Sequence, residues 1–439
     1  MRALCNGRLV VRGVSLAGSA DHNGPVDVLL ERGATGRVLA IGNRESWGAM
    51  CTDAHPTHIL DARGLVALPG IFNAHLCTTT MHDRRHTAGA DGTVRSARRS
   101  THASTLAETM ATMVGMLKGG TTSALFPTQA HPEAVIEAAV RVGMRATVAV
   151  TAQDSAVRGD PATAAAVDVE RVMSLSRRWR PHSTITIALG LDATIAQCRP
   201  AYLDAIVGLC SKYTLPVHAR VDKCDAPSYT RSIARLDRLA LCGARFSVAV
   251  CDSLRRGADD VDAPVPVYSR VPPFAHMIDR RRSPWSLAAA VGGGLSCPFE
   301  RMRCLAKVDG TMGAHDAWRL AVRPGRRARA ANAPDHLCVG DAADLALIDP
   351  RRFASQSRPI LGTTTTTTSH ECDNDAADPS VHTKTPGVSP GSKGQDSPFA
   401  LDSVVRHCQS SDVACVIVAG RIVVAVGTAT LVDEHAIVR

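Results

Sequence analysis

The sequence predicts an α/β protein: a (β/α)8 TIM-like barrel with β-rich segments at both ends of the chain. Three observations predict it. Segments of strand period and helix period alternate over roughly 260 residues, which implies a parallel sheet the size of an eight-stranded barrel. Short β segments punctuated by Gly and Asp fill residues 1–66, as in a small sheet or sandwich. The same β character returns after residue 335. At 439 residues the chain is too long for one small core, so a large domain with a smaller appended one is expected.

The first segments are GRLVVRG, PVDVLLERG, GRVLAIG and HILDARGLVALPG. The pattern then changes. Thr105 and Glu108 form a capping-box pair ahead of Leu106, Met110, Met113 and Leu117, an apolar stripe at helical spacing. Gly119-Gly120 closes that helix and TTSALFP follows as a strand. Pro132 suits the first turn of a second helix, with Val135, Ala138, Ala139 and Val142 inward and Gly143 at its end. RATVAVTA is the next strand. TITIALGL (184–191), PAYLDAIVGLC (200–210), LPVHARV (215–221) and RFSVAVC (245–251) continue as strand, helix, strand and strand. Late in the chain VGDAADLALIDP and DVACVIVAGRIVVAVG read as strands, the second as a hairpin turning at Gly420-Arg421. Residues 355–398 include an unbroken threonine run at 363–368 and are too poor in apolar residues to fold, so a disordered surface insertion is expected there.

Composition narrows the functional classes. Hydrophobic residues make up 45% of the chain and charged ones 21%, a globular balance. The net charge of +9 comes mostly from arginine clusters at 84–85, 98–99, 280–282 and 326–327. Without interleaved aromatics or a nucleic-acid module, these predict a solvated basic surface rather than a nucleic-acid partner. The 14 cysteines lack CxxC pairs and read as small buried residues of a reducing compartment, which predicts a cytoplasmic protein. The N-terminus is a poor signal peptide, and no run of about 18 apolar residues is present, so no membrane partner is expected.

The stretch LPGIFNAHLC (68–77) carries the first chemical signal. Pro69-Gly70 turns the chain, Ile71-Phe72 starts a buried strand, and His75 follows where a strand end could present its imidazole to a metal. Residues i and i+2 of a strand share a face, so the second ligand would stand at position 77, which is Cys77.

Several stretches together resemble the amidohydrolase superfamily, in its cytosine deaminase, guanine deaminase and atrazine chlorohydrolase branch. They are DARGLVALPGIFNAH, LKGGTTSALFP, AAVRVGMRATV, FERMRCLAKV, GAHDAWRLAV, VGDAADLALID and DVACVIVAGRIVVAVG, in that order. The resemblance implies a barrel over 67–334 and a small β-sandwich built from 1–66 and 335–439, interrupted by the insertion at 355–398. It implies hydrolysis of non-peptide C–N bonds, as in deamination of a purine, pyrimidine or triazine-like ring. It also implies one zinc or iron ion at the C-terminal mouth of the barrel, a small-molecule ring substrate, and self-association. Bound metal lowers the pKa of water so that hydroxide attacks near neutrality.

Set against the family's ligand pattern, the sequence departs at most positions. His75 is kept, and Cys77 replaces the second histidine; a thiolate is a good zinc ligand. On the fifth strand the metal histidine becomes Arg220 and the proton-shuttling glutamate becomes Lys223. The sixth-strand histidine falls on Val250, and the eighth-strand aspartate on Gly294. Arginine has no lone pair to offer and stays protonated. The pattern therefore predicts an impaired or metal-free protein, with a non-catalytic binding or regulatory subunit, or an anion pocket around Arg220 and Lys223, as the alternatives. A displaced site can still be drawn: His218 and Asp222 share a strand face and, with His75 and Cys77, make four ligand candidates. His218 is also explained as a position that the branch often fills with histidine. Asp344, in the family's GxxADL pattern, reads as structural.

Overall fold

Among the described residues, six consecutive parallel strands and four helices carry the middle of the chain, and the two ends of the chain meet in a second sheet. The computed structural model describes residues 7–19, 22, 24–33, 36–43, 47, 57–73, 76, 101–128, 130–152, 154, 159–191, 198–222, 246–251, 297–300, 302–303, 313–322, 336–354 and 401–437. The insertion at 355–398 lies outside the described residues.

The N-terminal strands are β1 (Gly7–Leu16), β2 (Val26–Arg32), β3 (Val38–Gly42), β4 (Thr57–Asp61) and β5 (Val66–Pro69). After β6 (Ile71–Asn73), strands and helices alternate as α1 (His102–Lys118), β7 (Thr121–Thr128), α2 (Pro132–Val142) and β8 (Arg145–Thr151). They continue as α3 (Pro161–Trp179), β9 (Ile185–Leu191), α4 (Pro200–Tyr213), β10 (Val217–Asp222) and β11 (Phe246–Cys251). Helix α5 (Ala314–Val322), β12 (Leu345–Ile348), α6 (Pro350–Ala354) and α7 (Leu401–His407) follow. The chain ends in β13 (Val413–Val418), β14 (Arg421–Ala425), β15 (Thr428–Ala429) and α8 (Glu434–Ile437).

Strands β6 to β11 form one all-parallel sheet in sequence order. Each neighbour is reached through a crossover, the half-barrel arrangement of an α/β fold. Helices cover its outer face. The stripe predicted for α1 is buried there, with Met113 and Leu117 at 0% exposure, as are Val135, Ala138 and Ala139 of α2. Each large apolar side chain buried in this way contributes roughly 1.5–3 kcal/mol. A separate small cluster of Leu125, Ala149 and Ala188, with Phe72 packed on it, lies on the opposite, inner face.

The second sheet joins both ends of the chain, because β12 pairs antiparallel with β5 and continues through β13, β14 and β15. Strand β1 bridges its halves. It pairs with β2 and β4 along its first part, shifts register between Val11 and Val14, and then pairs with β5 at Ser15 and Leu16.

Two local details differ from the sequence expectation. Helix α1 begins one turn earlier, because the Thr101 hydroxyl accepts from the Ser104 amide (3.1 Å) while the Ser104 hydroxyl accepts from the Thr101 amide (3.0 Å). Thr105 and Glu108 therefore sit inside the helix. The hairpin turns at Ala419-Gly420, both at positive φ (50° and 71°), and Arg421 already belongs to β14. Only glycine fits the second turn position, since a Cβ there would lie 2.2 Å from the Glu31 carbonyl oxygen.

Asp344 ties the second sheet to the foot of the first. Its carboxylate accepts from Arg145 Nε (2.7 Å) and Nη2 (2.9 Å) and from the Ala419 amide (2.9 Å). Its backbone carbonyl accepts from the Gly70 amide at the entry to β6 (2.9 Å). Burial works against the Arg145 charge, but the charge and hydrogen bonds of Asp344 outweigh it and raise the Arg145 pKa. The structural reading of Asp344 agrees with this geometry.

The C-terminal helix α8 docks through Glu434, which accepts from Lys118 Nζ (2.5 Å) and from the Ala429 amide (2.7 Å). Burial favours the neutral acid, yet these two donors prevail and lower the Glu434 pKa from its usual 4.5. A carboxylate whose pKa is depressed on folding contributes stability above its unfolded pKa and loses it as pH falls through the folded one. Wild type should therefore lose more stability than Glu434→Gln between about pH 5 and pH 3. Thermal melts of both across that range check this; parallel curves would contradict it.

Candidate functional site

Parallel α/β sheets place their chemistry at the C-terminal strand ends, so the inner face there is the candidate site. Alternation fixes which residues share that face. Val148 and Val150 of β8, Leu189 of β9, and Val217 and Ala219 of β10 belong to the helix-covered core. Ala149 and Ala188 belong to the inner cluster. Thr151, Gly190 and His218 therefore lie on the inner face. They are direct register partners: Thr151 pairs with Gly190, and Gly190 with His218. His218 is 3% exposed and Thr151 5%. The Thr151 hydroxyl is buried with no hydrogen-bond partner among the described residues.

The register extends the row into β11, where Ser247 pairs with His218, Ala249 with Arg220 and Cys251 with Asp222. His218, Arg220 and Asp222 alternate along β10 and so take positions on one face of the strand. Val250 pairs with Val221 and thus falls on the other face. The sequence reading puts the sixth-strand ligand position at Val250, while the register partners of Arg220 and Asp222 are Ala249 and Cys251. His75 and Cys77 lie outside the described residues, as do Lys223 and Gly294. Leu76 between the first two is buried, and its amide donates to the Leu125 carbonyl (2.8 Å). Among the described residues no three His, Cys, Asp or Glu side chains gather into a group that could hold a metal ion.

Beyond the strand ends an ion pair fastens two connections. Asp154, three residues past Thr151, accepts from Arg199 Nε (3.0 Å) and Nη2 (2.7 Å) and from the Arg199 amide (2.5 Å). Arg199 Nη1 also donates to the Gly159 carbonyl (2.9 Å). The hydrogen bonds to Asp154 raise the Arg199 pKa, so the guanidinium stays charged. Next along the chain, Asp160 caps α3 by accepting from the Thr163 amide (2.8 Å), and that bond lowers its pKa. Behind them the Tyr202 hydroxyl donates to Asp168 (2.7 Å) and pins α4 to α3; burial, reinforced by this bond, pushes the phenol pKa up. Sequence reasoning missed Thr151 and the Asp154–Arg199 pair. The readable signals were a threonine in phase with Ala149 at a strand end, and an aspartate placed just beyond it.

No family model matches the chain, and no curated protein matches its sequence. Solved structures do. The atrazine chlorohydrolase from Arthrobacter aurescens TC1 complexed with zinc superposes with a TM-score of 0.63 at 16% identity, covering 98% of each chain. An adenosine deaminase from Xanthomonas campestris with bound zinc gives 0.64 at 17% identity, covering 99% of this chain and 96% of that one. The E. coli guanine deaminase gives 0.55 at 15% identity, covering 96% and 99%. The chain shares the fold of these hydrolase and deaminase structures. Among the described residues no helix is long and apolar enough to cross a membrane.

Proposed function

We propose that the chain is a relative of the metal-dependent amidohydrolases acting on non-peptide C–N bonds of purine, pyrimidine or triazine-like rings, with turnover by the metal-hydroxide route impaired or lost. The β10 row carries this reading. Arg220 stands between His218 and Asp222 on the face where the resemblance calls for a metal-ligating histidine. A guanidinium supplies no lone pair. Two unit positive charges about 4 Å apart repel by roughly 4 kcal/mol at an effective dielectric of 20, and a divalent ion fares worse. This donor set does not fit zinc or iron in the family arrangement. Lys223, in the sequence position of the shuttle glutamate, removes the proton carrier as well. Coverage of nearly the whole chain by the barrel hydrolases supports a closed (β/α)8 barrel over 67–334, with a small accessory β-domain from 1–66 and 335–439.

Arg220 also favours a second reading, a non-catalytic binding or regulatory subunit with an anionic ligand. Ammonia release separates turnover from both. The purified protein, with zinc added, should release ammonia from adenosine, guanine and cytosine no faster than the buffer blank. Release that depends on zinc and stops with a chelator would contradict the proposal.

A further inference from the structure

We infer that Cys297 and Cys408 form a redox-active dithiol, which hydrogen peroxide oxidises to a disulfide joining the segment before α5 to the end of α7. The pair lies away from the strand-end row and does not depend on how that row is read. Cys297 leads into a helical turn at 298–300. Cys408 directly follows α7 and leads, through the turn at Ser410–Asp412, into β13. Both segments close on the C-terminal end of α1, where a Cβ at Gly119 would lie 2.9 Å from Ser410 Oγ and 3.2 Å from Pro298 Cδ. Arg303 Nη1 adds a clamp, donating to the carbonyls of Val405 (3.1 Å) and of Cys408 itself (2.8 Å). Pro298 and Arg303 thus hold the Cys297 segment along residues 405–410. Both cysteines are free thiols, Cys408 fully buried and Cys297 half-buried against the same apolar cluster. Burial pushes the Cys408 thiol up, and Asp412 and Cys297 add to the shift as nearby negative charges, so the two sulfurs lie within electrostatic reach.

Their surroundings give the two sulfurs different roles. The thiolate is the form that a peroxide oxidises, and access decides which sulfur meets it first. Cys297 is the reachable thiol, while Cys408 is buried and held protonated. The Cys297 sulfur attacks one peroxide oxygen, breaks the O–O bond and becomes a sulfenic acid, releasing one water. The Cys408 sulfur then attacks the sulfenic sulfur, and its proton leaves with the displaced hydroxyl as a second water. Two thiols and one hydrogen peroxide thereby give one disulfide and two waters, and a dithiol reductant reverses the bond by exchange. The bond closes a long loop that contains the whole 355–398 stretch, and a cross-link restrains the unfolded chain most when its loop is long.

The test uses the full-length protein, reduced, freed of reductant and then treated with hydrogen peroxide. Remaining thiols are blocked by alkylation, and the unreduced digest is read by mass spectrometry. The expected product is a cross-linked peptide pair holding Cys297 and Cys408, lighter than the separate peptides by the two thiol hydrogens and abolished by dithiothreitol. Oxidised wild type should melt about 3 °C or more above the reduced protein, with no such rise in Cys297→Ala, which trims only a half-buried side chain. In Cys408→Ala the sulfenic acid at Cys297 has no resolving thiol, so its trapping by dimedone should rise about fivefold or more. Absence of the cross-linked pair, with Cys297 carried on to sulfinic acid while Cys408 stays a thiol, would overturn the proposal. A cross-link from Cys297 to a different cysteine, or equal dimedone trapping in wild type and Cys408→Ala, would overturn it as well.

Discussion

Asp344→Ala should destabilise the protein by about 3 kcal/mol, because it breaks a partly buried ion pair from one side only. The Asp344 side chain is 10% exposed and holds Arg145 by two hydrogen bonds, with the Ala419 amide as its third donor. Removing the carboxylate leaves the guanidinium facing the foot of the parallel sheet without its counter-charge. It also frees the positive-φ turn at Ala419, which that bond holds in place. Asp344→Asn keeps an acceptor for Ala419 and should cost less than alanine. Urea midpoints of the three proteins measure this. A shift below about 1 kcal/mol for alanine would mean that the two sheets hold together without this tie, as the typical single substitution would allow.

Tyr202→Phe should cost about 2 kcal/mol, the value of a hydrogen bond to a charged partner. Tyr202 is fully buried, and its hydroxyl is 2.7 Å from Asp168, itself 5% exposed. The substitution changes almost no volume, so the loss reports the hydrogen bond and the poorer solvation of the remaining carboxylate. Asp168→Asn alone should be milder, because the amide oxygen can still accept from the phenol. Denaturation midpoints again provide the readout, with a double-mutant cycle giving the coupling. An unchanged midpoint for Tyr202→Phe would mean that α3 and α4 are joined by apolar packing alone.

Much of the fold was legible because its elements are framed by local chemistry. Pro132 and Gly143 bound α2 as expected, with Gly143 at φ 78° accepting the left-handed cap. The start of α1 was misjudged because two overlapping capping signals occur. The Thr101–Ser104 pair completes its hydrogen bonds first and adds a turn. The hairpin turn was displaced by one residue, since an alanine at positive φ follows no residue preference and is held by its bond to Asp344. Helix α3 was not foreseen although Asp160-Pro161 is a readable start, a capping aspartate before a first-turn proline.

The candidate site was legible along β10, where apolar Val217 and Ala219 alternate with His218 and Arg220 and so fix the face. It was not legible along β11. There Phe246, Val248 and Val250 alternate with the smaller Ser247, Ala249 and Cys251, but none of these is charged or a histidine to mark the inner face, and pairing with β10 sets the register that puts Cys251 beside Asp222. Thr151 escaped notice for a related reason. A threonine at the end of an apolar strand is an ordinary β-former until the row it joins, and its unpaired hydroxyl, are seen.

The measurement that tests the central claim most directly is the metal content of the purified full-length protein by inductively coupled plasma mass spectrometry. It should be made beside a His75→Ala, Cys77→Ala double variant. The replacement of a ligand by Arg220 predicts zinc and iron well below one per chain in both proteins. Close to one metal per wild-type chain, lost in the double variant, would contradict it and restore a working metal site to this protein.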